Sequence, residues 1–296
     1  MSGTVLLTGA TGFLGSHICE QLVHDGRKVI ILKRKVSDTW RIKSVLDKVV
    51  SYNADDTDLS EIFTENNIEV IIHAATTYGR KGERPPELIQ SNVIFPTKLL
   101  EMAVRFNTDS FFNTDTILYE YLNYYSLSKK HFSDWLKIYS KSIKVFNLKL
   151  EHVYGEKDGR EKFISMVINS FLRSMNKIQL TEGNQLRDFI YVDDVVSAYI
   201  EILKKASKFE RKYIEYSIGS GVSISIKEIV ELIKKLTMNT VTKTEFGAIK
   251  YRENEIMNSV ADLTRIREEI QWEPKFGLET GLKKTIDWYN EQLNYE

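Results

Sequence analysis

Tyr125-Ser-Leu-Ser-Lys129 sets a phenol and an ammonium four residues apart. On a helix that spacing places both on one face. Tyrosine ordinarily titrates at about 10, and a neighbouring ammonium draws that value down, so the phenol can give a proton to a developing alkoxide and be recharged. A lysine so placed can also hydrogen-bond a nicotinamide ribose. Tyr119, Tyr121 and Tyr124 compete for the role, but of the four only Tyr125 has a lysine four positions later. The preceding run ends Phe111-Phe-Asn-Thr114-Asp115-Thr116, which brings a hydroxyl to the carboxyl edge of a strand, where open α/β sheets bind ligands. Thr114 is the hydroxyl expected on a substrate carbonyl, with Asp115 and Thr116 beside it as substrate contacts.

A second group of residues suits a dinucleotide. Gly9-Ala-Thr11-Gly12-Phe13-Leu14-Gly15 follows the apolar run Val5-Leu-Leu and opens an amphipathic stretch. In that setting a glycine-rich turn lets backbone N–H groups and a helix N-terminus face a pyrophosphate. The spacing is GxxGxxG, and a side chain at Gly12 would block the approach. The next strand, Val29-Ile-Ile-Leu, ends at Lys33-Arg34, where NAD-preferring proteins of this design place an acid on the ribose hydroxyls. Two cations there attract a 2′-phosphate, so the cofactor reading is NADPH/NADP; a solvated basic turn is the alternative. Asp55 could accept from the adenine amino group, while Asp58 suits a helix N-cap better.

These residues need a scaffold, and the pattern supplies one. Short β-branched runs alternate with longer amphipathic stretches to about residue 150, which means βαβ units and a parallel sheet. The predicted fold is α/β, a doubly wound Rossmann sheet with a smaller interleaved C-terminal substrate lobe. Residues 1–152 and about 187–212 are assigned to the NADP-binding domain, and about 153–186 with 213–296 to the substrate lobe. With 296 residues, 41 Lys+Arg against 41 Asp+Glu, 42% hydrophobic residues and one cysteine, the chain points away from nucleic-acid and membrane partners. It needs no disulfide, and no His/Cys cluster has metal-ligand spacing. The chain opens on an apolar run with no basic n-region and holds no apolar stretch of about 18 residues, so a cytoplasmic location is expected.

Gly9-x-x-Gly12-x-x-Gly15, His73-Ala74-Ala75, Asn92-Val, Thr114, Tyr125/Lys129, Val153-Tyr-Gly155, Arg187-Asp-Phe-Ile-Tyr-Val-Asp-Asp194 and Trp272-Glu-Pro274 together resemble the extended short-chain dehydrogenase/reductases that act on nucleotide sugars, the NAD-dependent epimerase/dehydratase family. The resemblance spans nearly the whole chain. Leu150-Glu-His-Val-Tyr-Gly, His73-Ala-Ala-Thr-Thr-Tyr-Gly and Phe246-Gly-Ala-Ile are most similar to the branch that forms CDP-abequose. It implies NADPH-dependent reduction of the 4-keto group of a CDP-3,6-dideoxyhexulose, a step toward a dideoxyhexose of bacterial O-antigen. Hydride would pass to C4, Tyr125 would protonate the oxygen and Lys129 would position the ribose.

The resemblance also assigns Ala74 and Ala75 to the cofactor, and Thr76, His152, Lys162, Arg187 and Arg252 to the substrate, the two arginines on its diphosphate. The alternatives are surface ion pairs for the arginines, a packed histidine for His152 and a solvated helix start for Lys162. His73 and Asn92 read as structural. Dehydratases of the family carry Thr-Asp-Glu where Thr114-Asp115-Thr116 stands, and threonine is no base for elimination. The interval from Thr114 to Tyr125 is short for the family, so a loop lining the sugar pocket is trimmed. A 4-epimerase or 4-ketoreductase on a dTDP- or UDP-linked 6-deoxy sugar is the rival activity, and a non-catalytic NADP-binding sensor the rival of another class. A homodimer is expected, with Phe132, Trp135 and Leu136 either anchoring it or packing inward.

Overall fold

The computed structural model describes residues 3–294. The β-branched runs form strands β1 (Thr4–Thr8), β2 (Lys28–Lys33), β3 (Val50–Asn53), β4 (Ile68–His73), β5 (Ser110–Thr116), β6 (Lys144–Leu150), β7 (His152–Tyr154), β8 (Lys177–Gln179), β9 (Leu186–Tyr191), β10 (Tyr213–Ile218), β11 (Ser223–Ser225) and β12 (Lys243–Glu245). Between them run α1 (Phe13–His24), α2 (Leu59–Glu65), α3 (Pro85–Ile89), α4 (Phe95–Arg105), α5 (Tyr124–Tyr139), α6 (Phe163–Leu172), α7 (Val192–Lys205), α8 (Ile226–Leu236), α9 (Thr264–Ile270) and α10 (Leu278–Leu293). A π-turn, Gln90–Ile94, joins α3 to α4. Among the described residues no helix is long and apolar enough to cross a membrane.

The chain divides into two compact units, residues 1–150 with 199–217 and residues 151–198 with 218–296. The first is built on a seven-stranded sheet in the order β10-β6-β5-β4-β1-β2-β3. β1 to β6 pair in parallel, which requires helical crossovers and buries both faces. The order reverses between β1 and β4, the switch point at which such sheets open a crevice at their carboxyl ends. One face is a continuous apolar layer: Leu6, Ile30, Ile71, Phe111 and Val145 from the strands meet Ile62 and Phe63 of α2, Leu99, Leu100 and Ala103 of α4, and Phe132 and Leu136 of α5.

That layer decides two of the three aromatic or aliphatic residues considered for a dimer. Phe132 and Leu136 are wholly buried under the sheet, where helical spacing stacks them on one stripe. Trp135 lies off that stripe and is exposed. Capping is local and strong where α5 begins: the Asn123 side chain accepts from the Ser126 N–H while Ser126 Oγ receives the Asn123 N–H.

The second unit holds β9 between β11, antiparallel, and β7, parallel, with β8 and β12 paired separately. Residues about 187–198 therefore belong here, not with the dinucleotide domain to which the sequence expectation gave them, because β9 has its hydrogen-bond partners in β7 and β11. Asp194 at the start of α7 accepts the backbone N–H groups of Lys275 and Phe276, and Trp272 Nε1 donates to Ser197, so the segment after α9 is tied to α7.

Phe132→Ala should lower the unfolding free energy by about 3–5 kcal/mol, the range for emptying a packed aromatic site. Lys137→Ala, on the solvent side of the same helix, should stay within about 0.5 kcal/mol; urea denaturation of both variants compares them.

Candidate active site

The turn after β1 is folded flush against the exit of β4. Gly9 has φ +76°, and a Cβ there would stand 2.6 Å from the Ala75 nitrogen. A Cβ on Gly15 would strike the Gly9 carbonyl. The chain's own packing therefore demands both glycines. Gly12 differs: its φ of −83° suits any residue, and a Cβ would meet only the Gly9 oxygen, at 3.2 Å. Of the three, Gly12 is the one whose added Cβ would meet a tight contact and not an outright clash. Gly12 is also the N-cap of α1, which starts with no side-chain cap and no acid in its first turn. The N–H groups of Phe13, Leu14 and Gly15 thus lack intrahelical partners, and a dinucleotide pyrophosphate fits that cradle. Behind it the Thr8 hydroxyl is 2.7 Å from His73 Nδ1 and accepts from the Ala75 N–H at 3.3 Å, which fixes Ala74 and Ala75 at the crevice. Burial holds His73 well below its ordinary value, with Lys129 adding to the effect, so it is neutral and structural.

Lys33 closes β2 and Arg34 follows it into solvent. Asp55 is turned to a different task from the adenine contact expected of it: one carboxylate oxygen accepts the Lys35 N–H at 2.8 Å and so braces the loop that carries the two cations. Asp58 caps α2 through the Ser60 N–H. A third cation was not foreseen. Arg41 lies 4.5 Å over the Trp40 ring and reaches the Thr11 carbonyl of the glycine turn at 3.4 Å. Nothing in the sequence announces that return, which is made by a loop.

The carboxyl end of β5 carries two hydroxyls, those of Thr114 and Thr116. The Thr114 hydroxyl is 2.7 Å from that of Tyr199 on α7, a fully buried partner. Thr116, two residues on at the last position of the strand, has its hydroxyl close enough to the Tyr125 phenol to pull that phenol down; it also accepts the Leu118 N–H, at 3.3 Å. Asp115 points to the other side of the strand, as alternation requires, and does not offer its carboxylate to a ligand. One oxygen accepts the Thr116 N–H at 2.8 Å and the other the Asn147 side-chain N–H at 2.9 Å.

Burial also separates Tyr125 from its rivals, since Tyr119, Tyr121 and Tyr124 are all exposed. Burial raises the Tyr125 phenol well above its ordinary value, with the Tyr78 phenol and the Asp115 carboxylate adding to the rise; the Thr116 hydroxyl and Arg80 pull the other way. The sequence expectation had Lys129 depressing this phenol. The lysine, 2% exposed, instead has its charge beside Asp115 and His73, and burial lowers it while Asp115 raises it. Lys129 makes no hydrogen bond to another described residue, so its ammonium is a buried donor available to a ribose.

Asn92 ties this corner together. From the π-turn, a distortion common at functional sites, its Oδ1 accepts the Thr77 N–H at 2.8 Å, and its Nδ2 donates to the Thr77 carbonyl and to Ser128 of α5. Thr76, expected on the substrate, directs its hydroxyl at Asn92 Oδ1, 3.3 Å away. Tyr78 follows the clamp and packs on Tyr125 with centroids 4.9 Å apart and the rings tilted by 37°, and Arg80 lies 5.4 Å over the Tyr78 ring.

The second unit gathers the other expected residues. Arg187 is nearly buried; it donates to the Leu186 carbonyl at 2.8 Å and is ion-paired with Glu255. Burial lowers it, Glu255 and Glu151 oppose that, and Arg252 is near enough to add repulsion. The two arginines are thus brought together, with Arg187 already held by a carboxylate. His152 packs at 5.6 Å on Phe189, its Nδ1 3.3 Å from the buried Glu151 carboxylate, as a packed histidine would. Lys162 stands at the N-cap of α6. Among the described residues no group of His, Cys, Asp and Glu could hold a metal.

Residues 5–219 match the model of the NAD dependent epimerase/dehydratase family. The chain belongs to this family. Over 292 residues it is 37% identical to a CDP-abequose synthase of Salmonella muenchen, covering 95% of this chain and 96% of that one. A CDP-abequose synthase of Salmonella typhimurium is 33% identical over 291 residues, 95% and 97% of the two chains. In fold it resembles a UDP-glucose 4-epimerase of Thermotoga maritima solved with UDP-glucose, at TM-score 0.86 and 22% identity over 98% and 99% of the chains. As an epimerase/dehydratase family enzyme it has a nicotinamide dinucleotide as its typical cofactor, and the residues around Gly12 and Lys129 fit one.

Gly12→Val should lower dinucleotide affinity at least about tenfold, since its side chain stands where a pyrophosphate would approach, and should lower the melting temperature of the free protein far less than Gly15→Val does. Gly15→Val should unfold the protein, because its side chain strikes backbone. Calorimetric titration and thermal melts of the two variants separate these outcomes.

Proposed function

We propose that the protein is an NADPH-dependent nucleotide-sugar 4-ketoreductase that converts a CDP-3,6-dideoxyhexulose to a CDP-3,6-dideoxyhexose of the abequose type. The observation that carries this reading is Tyr125 and Lys129 four residues apart on α5, with the phenol removed from water while the other nearby tyrosines are exposed. Full-length similarity to two CDP-abequose synthases supports the choice of sugar and base. When bound, the dinucleotide would supply a hydride to C4.

The chain's own residues would do the remaining work. Thr116 and Tyr125 hydrogen-bond the ketone oxygen, and Tyr125 delivers its proton as charge appears there. A phenol held well above its ordinary value is protonated through the neutral range, which is the form a reduction consumes. The contribution of Tyr125 to the rate of reduction is therefore full at neutral pH and is lost only as the pH rises through the phenol's elevated value. Lys129 donates to the ribose. Arg187 and Arg252 bind the diphosphate, with Glu255 exchanging places with a phosphate oxygen on Arg187.

The position of Thr116 strengthens the argument against dehydration. The residues after it are Ile117 and Leu118, neither of which can remove a proton, and the nearby Asp115 is occupied by backbone and Asn147. Lys33, Arg34 and Arg41 favour a cofactor with a 2′-phosphate over the NAD of a 4-epimerase. A homodimer and a cytoplasmic location accompany the reading.

In an NADPH-absorbance assay with a CDP-4-keto-3,6-dideoxyhexose, Tyr125→Phe should lose at least about 100-fold in turnover, the scale of general acid catalysis. Thr116→Val should lose about tenfold or more, and Thr114→Val should stay within about threefold. Stoichiometric bound NAD with no net NADPH oxidation would instead identify an epimerase. The double variant Lys33→Ala/Arg34→Ala should weaken NADPH at least about tenfold, the scale of charge-assisted hydrogen bonds, and leave NADH nearly unchanged; KM values for the two cofactors report it.

A further inference from the structure

Tyr125 sits in the first turn of α5, ahead of the stripe through which Phe132 and Leu136 fasten that helix to the sheet. Its ring needs support from elsewhere. The ring of Tyr78, from the loop that leaves β4, packs on it with centroids 4.9 Å apart and planes tilted by 37°, within the separation at which aromatic pairs attract.

Tyr78 is itself held along the chain on both sides. Before it, Thr77 gives its N–H to Asn92 Oδ1 and accepts Asn92 Nδ2 on its carbonyl, both at 2.8 Å. After it, Gly79 turns the backbone at φ +72°, where side chains are rarely found, and a Cβ there would stand 3.3 Å from the Leu88 side chain of α3. The Arg80 guanidinium, 5.4 Å over the Tyr78 ring, adds the attraction of a cation for an aromatic face. Asn92 Nδ2 donates also to Ser128 Oγ, at 3.0 Å, and Ser128 donates to the Tyr125 carbonyl at 2.7 Å. One buried amide thus joins the residue before Tyr78 to the turn that carries Tyr125, and the two rings meet in a register that it sets.

We propose that Tyr78 is a positioning residue, whose ring, preset by Asn92 and Gly79, holds the Tyr125 ring at the angle from which its phenol delivers a proton. The inference rests on the proposed role of Tyr125 as the proton donor. A misplacement of about 1 Å can cost on the order of 100-fold in rate, and with Tyr78 removed the Tyr125 side chain gains freedom about its Cα–Cβ bond. The ring of Tyr78 does this work, not its hydroxyl. With 45% of its surface exposed, Tyr78 contributes little to the core, so its loss leaves the fold standing.

The test is a comparison of single and double variants in NADPH oxidation with a CDP-4-keto-3,6-dideoxyhexose, at enzyme concentrations that make the slow variants measurable. Tyr78→Ala should lower kcat about tenfold or more with KM and the melting temperature nearly unchanged, and Tyr78→Phe, which keeps the ring, should retain most of the wild-type kcat. In the Tyr125→Phe background, Tyr78→Ala should lower the residual rate by less than about twofold, because the group it positions is gone. An undiminished kcat in Tyr78→Ala overturns the proposal. So does an equal loss in the two backgrounds, or a loss confined to KM, which marks a sugar contact. Should Tyr78→Ala not fold, Tyr78→Leu carries the same comparison. No wild-type turnover of any 4-keto sugar nucleotide would reject the enzymatic reading and this inference with it, whereas a defect in Tyr125→Phe with none in Tyr78→Ala rejects the inference alone.

Discussion

Removing an ammonium from water costs several kcal/mol unless charge and donors around it compensate, and Lys129 is 2% exposed at the carboxyl edge of a parallel sheet. Much of the first unit is organised about that fact. α5 is pressed onto the sheet by Phe132 and Leu136, and the lysine is buried on the same helix. Asn92 bonds Ser128, the residue before it, and so fixes the turn that presents both Tyr125 and Lys129. A chain of side-chain amides and carboxylates crosses β5, β6 and β10 beneath it.

The same arrangement sets the direction of proton transfer. A phenol raised by burial and by neighbouring Tyr78 and Asp115 gives no base at neutral pH; it gives an acid with its proton in place. Tyr78 packs against that phenol's ring, tilted, with centroids 4.9 Å apart. Arg80 is the positive charge near enough to favour the tyrosinate.

The second unit follows a similar logic with anions. Arg187 is retained in a nearly buried place by Glu255 and Glu151, and Arg252 is close enough to repel it. The Glu255 carboxylate answers the charge of Arg187, which is costly to leave unpaired away from water.

Much was legible in the sequence because it depends on neighbours along the chain. The alternation of apolar runs determined the parallel sheet, the glycine spacing determined the turn into α1, and the four-residue interval determined that Tyr125 and Lys129 share a helix face. Thr-Asp-Thr shows where the ambiguity begins. Two threonines two apart are equivalent in sequence, and the pattern favoured Thr114. Only the fold shows that Thr114 meets Tyr199, 85 positions away, and that the strand ends at Thr116, beside the phenol. Asp115, read as a substrate contact, is turned by strand alternation toward Asn147 and Lys129. Arg41 comes back to the glycine turn by way of a loop with no periodicity to read. Backbone spacing and hydrophobic period are short-range properties and so belong to the sequence. Which hydroxyl, carboxylate or guanidinium faces which partner depends on segments that meet only after folding, and that the tertiary structure alone decided.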